Sequence, residues 1–265
     1  MELIGYLGAL LMGISLGLIG GGGSILTMPI LVYLFHTDAE TATAYSLFIV
    51  GLTSLVGSLS HMRMGNIDYR IALVFGIPSI ISVYITRKFV MPAIPTQLFE
   101  ISGFEVTKGV GLLLLFAVIM LLASYSMIRP QPSKSIKPSV GFKYHIILLE
   151  GAVVGFVTGL VGAGGGFLII PALVLLAGLE MKKAVGTSLI IIATKSLIGF
   201  VGDIEGDMLI DWELLLYFSS VAIAGIIIGS MYSKRISNEK LKPAFGWFVL
   251  VMGIYIILRE TVFHH

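Results

Sequence analysis

A glycine-rich signature occurs twice in this chain, and the two copies are 142 residues apart. The first, GLIGGGGSILTMP, begins at Gly17, and the second, GLVGAGGGFLIIP, begins at Gly159. The similarity continues without a gap, so that Gly17–Gly57 aligns with Gly159–Gly199, and it resumes after one inserted residue. Unrelated apolar stretches do not share such a register of glycines and prolines. The sequence therefore predicts a fold built from two copies of one unit.

The copies consist almost entirely of apolar segments. Hydrophobic residues make up 57% of the 265 residues and charged residues only 12%, whereas soluble domains carry about 25% charged residues. The mean hydropathy is +1.00. These values predict a polytopic membrane protein with the lipid bilayer as its surroundings. The ten apolar segments lie at roughly 3–19, 24–35, 41–60, 70–90, 108–128, 144–161, 167–178, 184–201, 213–232 and 242–259.

One long polar connection, 129–143, is rich in proline, serine and lysine and predicts a flexible cytoplasmic linker. It separates a first transmembrane repeat, 1–128, from a second, 144–265. A helix needs about 20 residues to span a bilayer, so the second and seventh segments are too short to cross squarely. Each of them follows a glycine cluster directly.

The loop charges predict that the two repeats face opposite ways. The linker carries four basic residues and no acidic one, and the loop between segments 9 and 10 carries four basic residues and one acidic. Both are therefore assigned to the cytoplasm. Equivalent loops of the two copies then carry opposite charge bias, as inverted repeats require. The predicted fold is an all-α polytopic membrane protein with two inverted-topology repeats of about five helical segments each. Its Gly-rich broken or short helices meet near the midplane, and both termini lie outside a prokaryotic plasma membrane.

The glycine clusters predict helix starts that face a buried anion site. Unpaired backbone groups are tolerated inside a membrane only where protein or a water-filled cavity covers them. The first N–H groups of a helix have no partner within the helix, and they lie at the positive end of its dipole. Close packing of small residues is the alternative explanation. The positions predicted to line the site are Gly20, Gly21, Gly22, Gly23 and Ser24 in the first copy and Gly162, Gly164, Gly165 and Gly166 in the second.

Polar residues in segments 3 and 8 complete the predicted site, namely Ser46, Thr53, Ser188 and Lys195. Lys195 lies about twelve residues, or roughly 18 Å, into its segment, where insertion of a charge costs at least about 2.5 kcal/mol. It is interpreted as a cation that attracts a substrate anion, with a snorkelling or structurally paired lysine as the alternative. Ser46 and Ser188 either donate to an oxyanion or bond to their own helix. Glu150 is either solvated at the interface or used in proton coupling or as a lysine partner.

The sequence contains few features typical of other function classes. The chain has no cysteine, the clusters lack the lysine and hydroxyl of a nucleotide-binding loop, and no basic patch indicates nucleic acid. No acid–base pair or metal-ligand set within the segments indicates an enzyme. No cofactor is expected, and the expected partner is a small anion. A homodimer is the candidate assembly, and the oligomeric state is left open.

The two signatures resemble those of the TauE/SafE family of sulfite exporter-like membrane permeases. The resemblance extends to TAYSLFIVGLTSLVG, VGTSLIIIATKSLIGF and LKPAFGWFVLVMGIYIILRE, and it covers nearly the whole chain. It implies a secondary transporter of a sulfur-containing oxyanion such as sulfite or an organosulfonate, with export by alternating access as the expected mode. An anion channel or an uptake carrier for another small anion is the alternative. Gly21 stands where the second signature has Ala163, and no consequence for backbone approach is expected.

Overall fold

The computed structural model describes residues 2–101, 104–128, 144–175, 177–205, 208–232 and 238–262. In the first repeat it forms α1 (Glu2–Ile19), a 3₁₀ helix (Gly21–Leu26), α2 (Thr27–Leu34), α3 (Ala39–Arg63), α4 (Tyr69–Ile85), a π-helical turn (Thr86–Val90), α5 (Met91–Ala93), strands β1 (Gln97–Ile101) and β2 (Phe104–Thr107), and α6 (Lys108–Ile128). In the second repeat it forms α7 (Tyr144–Val161), α8 (Gly166–Leu175), α9 (Met181–Ile204), α10 (Trp212–Tyr232) and α11 (Asn238–Val262). The predicted linker, 129–143, lies outside the described residues.

All ten predicted segments correspond to helices, but the hairpin between α5 and α6 was not predicted. Strands β1 and β2 pair antiparallel, with Glu100 opposite Glu105. Pro95 stops a helix from continuing into this connection, and Ile94 before it has extended backbone. Aromatic and β-branched residues follow them and favour extended backbone.

Where the similarity of the two copies resumes, Ile67-Asp68-Tyr69 aligns with Ile210-Asp211-Trp212, and this Ile-Asp-aromatic motif marks the start of a helix in each copy. The Asp68 carboxylate accepts a hydrogen bond from the N–H of Ile71 at the start of α4, at 3.0 Å. The equivalent Asp211 accepts from the N–H of Leu214 at the start of α10, also at 3.0 Å. The shared aspartates are therefore helix N-caps, and they fix where the fourth helix of each repeat begins.

The outer surface is apolar, as expected for a protein in lipid. Leu73, Ile77, Ile81 and Ile85 follow one another every four residues on α4, and all are about half exposed. Five helices in the described part are long and apolar enough to cross a membrane, at 39–63, 69–93, 108–125, 181–204 and 212–232. Contiguous apolar faces of this size are not found on soluble monomers. The chain is an all-α polytopic membrane protein.

The helices pack in pairs that the duplication relates to one another. α1 packs on α10 and α7 packs on α4, while α3 pairs with α9 and α6 pairs with α11. A β-carbon on Gly57 would lie 3.5 Å from Leu189 Cδ1, and one on Gly199 would lie 3.3 Å from Leu47 Cδ1. Gly57 is the repeat equivalent of Gly199, and Leu47 is that of Leu189, so the two contacts are equivalent to each other. In each contact the end of one helix meets the beginning of the other, so α3 and α9 run antiparallel. This is the packing that a twofold axis perpendicular to the helices produces, and it supports the predicted inversion.

The bundle has two ends, which we name after the equivalent residues Asp203 and His61. At the Asp203 end α9 finishes and α3 begins. The start of α1 and the end of α11 also lie at this end, because Gly5 packs on Phe35 and Tyr33 donates to Glu260 at 3.0 Å. At the His61 end α3 finishes, and Gly186 near the start of α9 packs on His61 and on the carbonyl of Asn66. The loop charges predict that the Asp203 end is extracytoplasmic.

Candidate functional site

The first glycine cluster is mostly helical. Only Gly20 has left-handed backbone, with φ 84° and ψ −114°, and the 3₁₀ helix starts at the next residue. The predicted start of this segment, at residue 24, was therefore too late: without side chains, the glycines can adopt the tight 3₁₀ turn themselves. Ser24 lies inside this helix rather than at its start, and its hydroxyl donates to the carbonyl of Gly21 at 2.8 Å.

The second cluster is a true break. Gly162, Gly164 and Gly165 all have positive φ, at 73°, 63° and 68°, a conformation that side chains disfavour. The N–H groups of Leu168 and Ile169 donate to the carbonyl of Gly165, at 2.9 and 3.0 Å. Gly165 is thus the residue at which the hydrogen bonding of α8 begins. The N–H groups at the very start of α8 have no acceptor within the helix.

The two clusters meet at Gly21 and Gly166. A β-carbon on either residue would overlap the Cα of the other, so the two backbones are in direct contact. The expectation that Gly21 in place of alanine has no consequence for backbone approach is therefore wrong, because a β-carbon here would keep the two backbones apart. Its repeat equivalent, Ala163, is fully buried, and its methyl group is accommodated there.

The meeting point lies halfway along α3 and α9. A β-carbon on Gly164 would lie 2.5 Å from Val50 Cγ1, and one on Gly166 would lie 2.7 Å from Ile192 Cδ1. Val50 and Ile192 are repeat equivalents near the centres of their helices. In each helix one predicted polar residue lies four positions before this central residue and another lies three positions after it. Ser46 and Thr53 therefore share a face of α3 with Val50. Ser188 and Lys195 share a face of α9 with Ile192. Both faces are turned toward the glycines.

Lys195 lies fully buried beside the second break, with none of its side chain exposed. Its Nζ donates to Thr158 Oγ1 at 2.8 Å and would lie 3.0 Å from a β-carbon on Gly165. Because it is buried, the snorkelling alternative is wrong. None of the described carboxylates forms an ion pair with it, so Glu150 is not the partner of Lys195. A buried ammonium without a counter-charge is strongly disfavoured, and an anion at this point would neutralise it.

The equivalent serines differ in their hydrogen bonding. Ser188 donates to the carbonyl of Val185 in its own helix at 2.8 Å. Ser46 and Thr53 are fully buried, and their hydroxyls have no partner among the described residues. The same holds for Ser54 and its repeat equivalent Ser196. Each buried hydroxyl without a partner costs about 1–3 kcal/mol, so these side chains are suited to a ligand or water that the helices enclose.

Three predicted residues lie away from the meeting point. Gly20 faces the side chains of Ile170 and Val185, Gly23 packs on the backbone of α1, and Gly162 packs on the backbone of Thr43. Gly22 lies within the 3₁₀ helix. The residues brought together are Gly21, Ser24, Gly164, Gly165, Gly166 and Lys195, with Ser46, Thr53 and Ser188 on the faces of α3 and α9.

Two polar residues near the breaks were not predicted. Thr158 binds Lys195 and directly precedes the second signature. Arg87 is 1% exposed, and its Nη1 donates to Thr43 Oγ1 at 3.0 Å. An arginine inside a predicted apolar segment, aligned with Ser230 in the other repeat, is a signal that could have identified it.

Comparison with known proteins gives a consistent assignment. The family model described as "Sulfite exporter TauE/SafE" matches residues 6–256. A probable membrane transporter protein of Xylella fastidiosa (strain 9a5c) is 29% identical, over 94% of this chain and 92% of its own. The probable membrane transporter protein YdhB of Bacillus subtilis (strain 168) is 27% identical, over 93% of this chain and 96% of its own. A relative from Methanocaldococcus jannaschii, also named as a probable membrane transporter protein, is 27% identical.

No solved structure gives a significant match to the chain. The family match, in contrast, covers nearly all of it, including both glycine signatures, α3, α9 and Lys195. The chain therefore belongs to the sulfite exporter TauE/SafE family of membrane transporters.

Proposed function

We propose that the protein is a secondary transporter that exports a small sulfur-containing oxyanion, such as sulfite or an organosulfonate, from the cell by alternating access. The observation that carries this proposal is the placement of Lys195. Its ammonium group is buried at the glycine breaks, where it donates a hydrogen bond to the Thr158 hydroxyl. The sulfur chemistry of the substrate comes from the family name, and the residues by themselves support a small anion.

Three features would act together on the anion. The start of α8 presents N–H groups at the positive end of its dipole. Glycines at this point let an oxygen approach the backbone without a side chain in between. Lys195 adds a full charge in a region of low dielectric constant, where it acts more strongly than in water. The hydroxyls of Ser46 and Thr53, which lack partners among the described residues, are further donors on the adjacent face.

The antiparallel pairing of α3 and α9 suits alternating access. If the two repeats are inverted, either can move against the other around a site at the centre. The membrane potential would drive export, since a negative interior pushes an anion outward by about 2.3 kcal/mol per charge per 100 mV. In this arrangement both termini face outward from the cell membrane.

Flux measurements test the proposal. Proteoliposomes that contain the purified protein are loaded with sulfite, and efflux is followed with and without an imposed potential, negative inside. We expect saturable efflux that is faster when the potential is imposed. We also expect external sulfite to exchange with internal sulfite in a counterflow experiment. Single-channel conductance without counterflow would instead identify a channel. Failure of the protein to move sulfite, sulfate, thiosulfate or ethanesulfonate would overturn the proposal.

A further inference from the structure

A buried charge pair lies at the Asp203 end of the bundle. Arg87 lies in the π-helical turn after α4, and its Nη1 is 3.4 Å from Asp203 Oδ1 on α9. Both side chains are buried, with 0% and 5% of their surface exposed. Arg87 Nη1 also donates to Thr43 Oγ1 on α3 at 3.0 Å. The pair therefore joins the two repeats through one nitrogen of the guanidinium.

The rest of the guanidinium has no partner in the described part of the chain. Arg87 Nε and Nη2 and Asp203 Oδ2 are all buried without a hydrogen bond there. A carboxylate can bind a guanidinium through two parallel hydrogen bonds, and Asp203 uses only one oxygen. Buried donors left without an acceptor are costly. An oxyanion with several oxygens satisfies the planar set of guanidinium donors better than this carboxylate does.

Arg87 is linked to the second glycine break through Thr43. Thr43, which accepts from Arg87, packs against Gly162. Lys195 lies beside Gly165, three residues further along the same break. Two buried cations from different helices thus flank one glycine loop, one toward the Asp203 end and the other toward the midpoint of the bundle.

The equivalent interface at the other end carries different residues. By the repeat alignment, Arg87 corresponds to Ser230 on α10 and Asp203 corresponds to His61 on α3. At that position, between α3 and α10, a cavity of about 370 Å³ is lined by Gly57, Ser60, Ile226 and Ser230 among others. The π-helical turn that carries Arg87 follows α4, whereas the corresponding part of α10 is α-helical to Tyr232. The interface therefore holds a buried charge pair in one copy, whereas in the other copy the equivalent residues are serine and histidine and a cleft lies beside the serine.

We propose that Arg87 is a second anion-binding residue of the transport path and that the Asp203 carboxylate occupies it while the Asp203 end is closed. The transported oxyanion displaces Asp203 from Arg87 as α4 and α9 separate, and Asp203 returns when the anion leaves. No bond is made or broken other than hydrogen bonds. This inference rests on the proposed anion transport and assigns a residue to the Asp203 end of the path.

Calorimetric titration of the full-length protein in detergent with sodium sulfite tests the inference. Asp203→Asn removes the carboxylate that competes for Arg87. The fraction of protein molecules able to bind sulfite then rises, so we expect sulfite to bind about tenfold more tightly. Adding Arg87→Gln to Asp203→Asn should abolish that gain. Glu205→Gln is the matched control, because Glu205 is an exposed carboxylate at the same end, paired with Lys88, and it should leave the affinity unchanged.

A second variant covers the case in which Asp203→Asn fails to fold. Arg87→Lys keeps the ion pair but removes the planar donor set, and we expect sulfite to bind at least about fivefold more weakly in a protein that elutes as wild type. Wild-type affinity in the Arg87 and Asp203 variants, together with loss of binding in Lys195→Met, would overturn this inference and leave the proposed function standing. Absence of binding of sulfite, sulfate, thiosulfate and ethanesulfonate to the wild-type protein would overturn both.

Discussion

The backbones of Gly21 and Gly166 are in contact, and neither position has room for a β-carbon. One residue belongs to the 3₁₀ helix of the first repeat and the other is the first residue of α8 in the second. This contact holds the two glycine signatures together beside Val50 and Ile192, which lie halfway along α3 and α9. It also brings Lys195 and the start of α8 to one place.

Alanine at either contact residue should destabilise the protein. Gly21→Ala or Gly166→Ala forces backbone apart in a close-packed interior, so we expect a loss of at least about 2 kcal/mol. Gly76→Ala is the control, since its β-carbon would lie 3.9 Å from Ile191 Cγ1, an ordinary contact. That variant should be neutral or more stable by about 0.5–1 kcal/mol, because alanine favours helix over glycine. Thermal unfolding in detergent measures both, and equal melting temperatures for all three variants would contradict the contact.

The equivalent serines Ser46 and Ser188 should differ in function. Ser46→Ala removes a buried hydroxyl that has no partner among the described residues, so stability should be unchanged or slightly higher. If this hydroxyl donates to the anion, the half-saturating concentration of sulfite should rise about tenfold, as for loss of a hydrogen bond to a charged group. Ser188→Ala removes a bond to the same helix only and should have little effect on transport. A larger effect of Ser188→Ala than of Ser46→Ala would reverse these roles.

The sidedness of the bundle can be tested directly, because the chain has no cysteine. Leu209 is 93% exposed in the connection between α9 and α10, at the end that the loop charges predict to be extracytoplasmic. Lys183 is exposed near the start of α9, at the opposite end. In intact cells a membrane-impermeant maleimide should label Leu209→Cys and not Lys183→Cys. Labelling of Lys183→Cys alone would mean that the predicted orientation is reversed.

Much of this fold follows from residue spacing alone. The ten apolar segments, the glycine and proline register and the depth of Lys195 are properties of the sequence, and helices in a membrane leave the backbone few alternatives. The two glycine clusters, although similar in composition, adopt different backbones. The first is a 3₁₀ helix and the second is a loop with positive φ, because glycine restricts the backbone so little that the packing around each cluster decides its conformation.

The sequence could not identify which polar residues meet. Thr158 and Lys195 are 37 positions apart, and their pairing depends on how α7 and α9 pack within the second repeat. Arg87 and Asp203 are 116 positions apart, and their pairing depends on how the two repeats pack on each other. The different hydrogen bonding of Ser46 and Ser188 is likewise invisible in a repeat alignment, where the two residues are equivalent.

Anion flux through Lys195→Met tests the central claim most directly. Thr194→Val is the matched control, because Thr194 is the neighbouring exposed residue, whose hydroxyl bonds only to its own helix in the described structure. In proteoliposomes with equal amounts of inserted protein, we expect Lys195→Met to lower potential-driven sulfite efflux at least about tenfold, since a hydrogen bond to a charged group contributes about 1.5–3 kcal/mol. Thr194→Val should transport as wild type and Lys195→Arg should retain part of the flux. Undiminished sulfite efflux through Lys195→Met would contradict the claim that the anion binds at the meeting point of the glycine signatures.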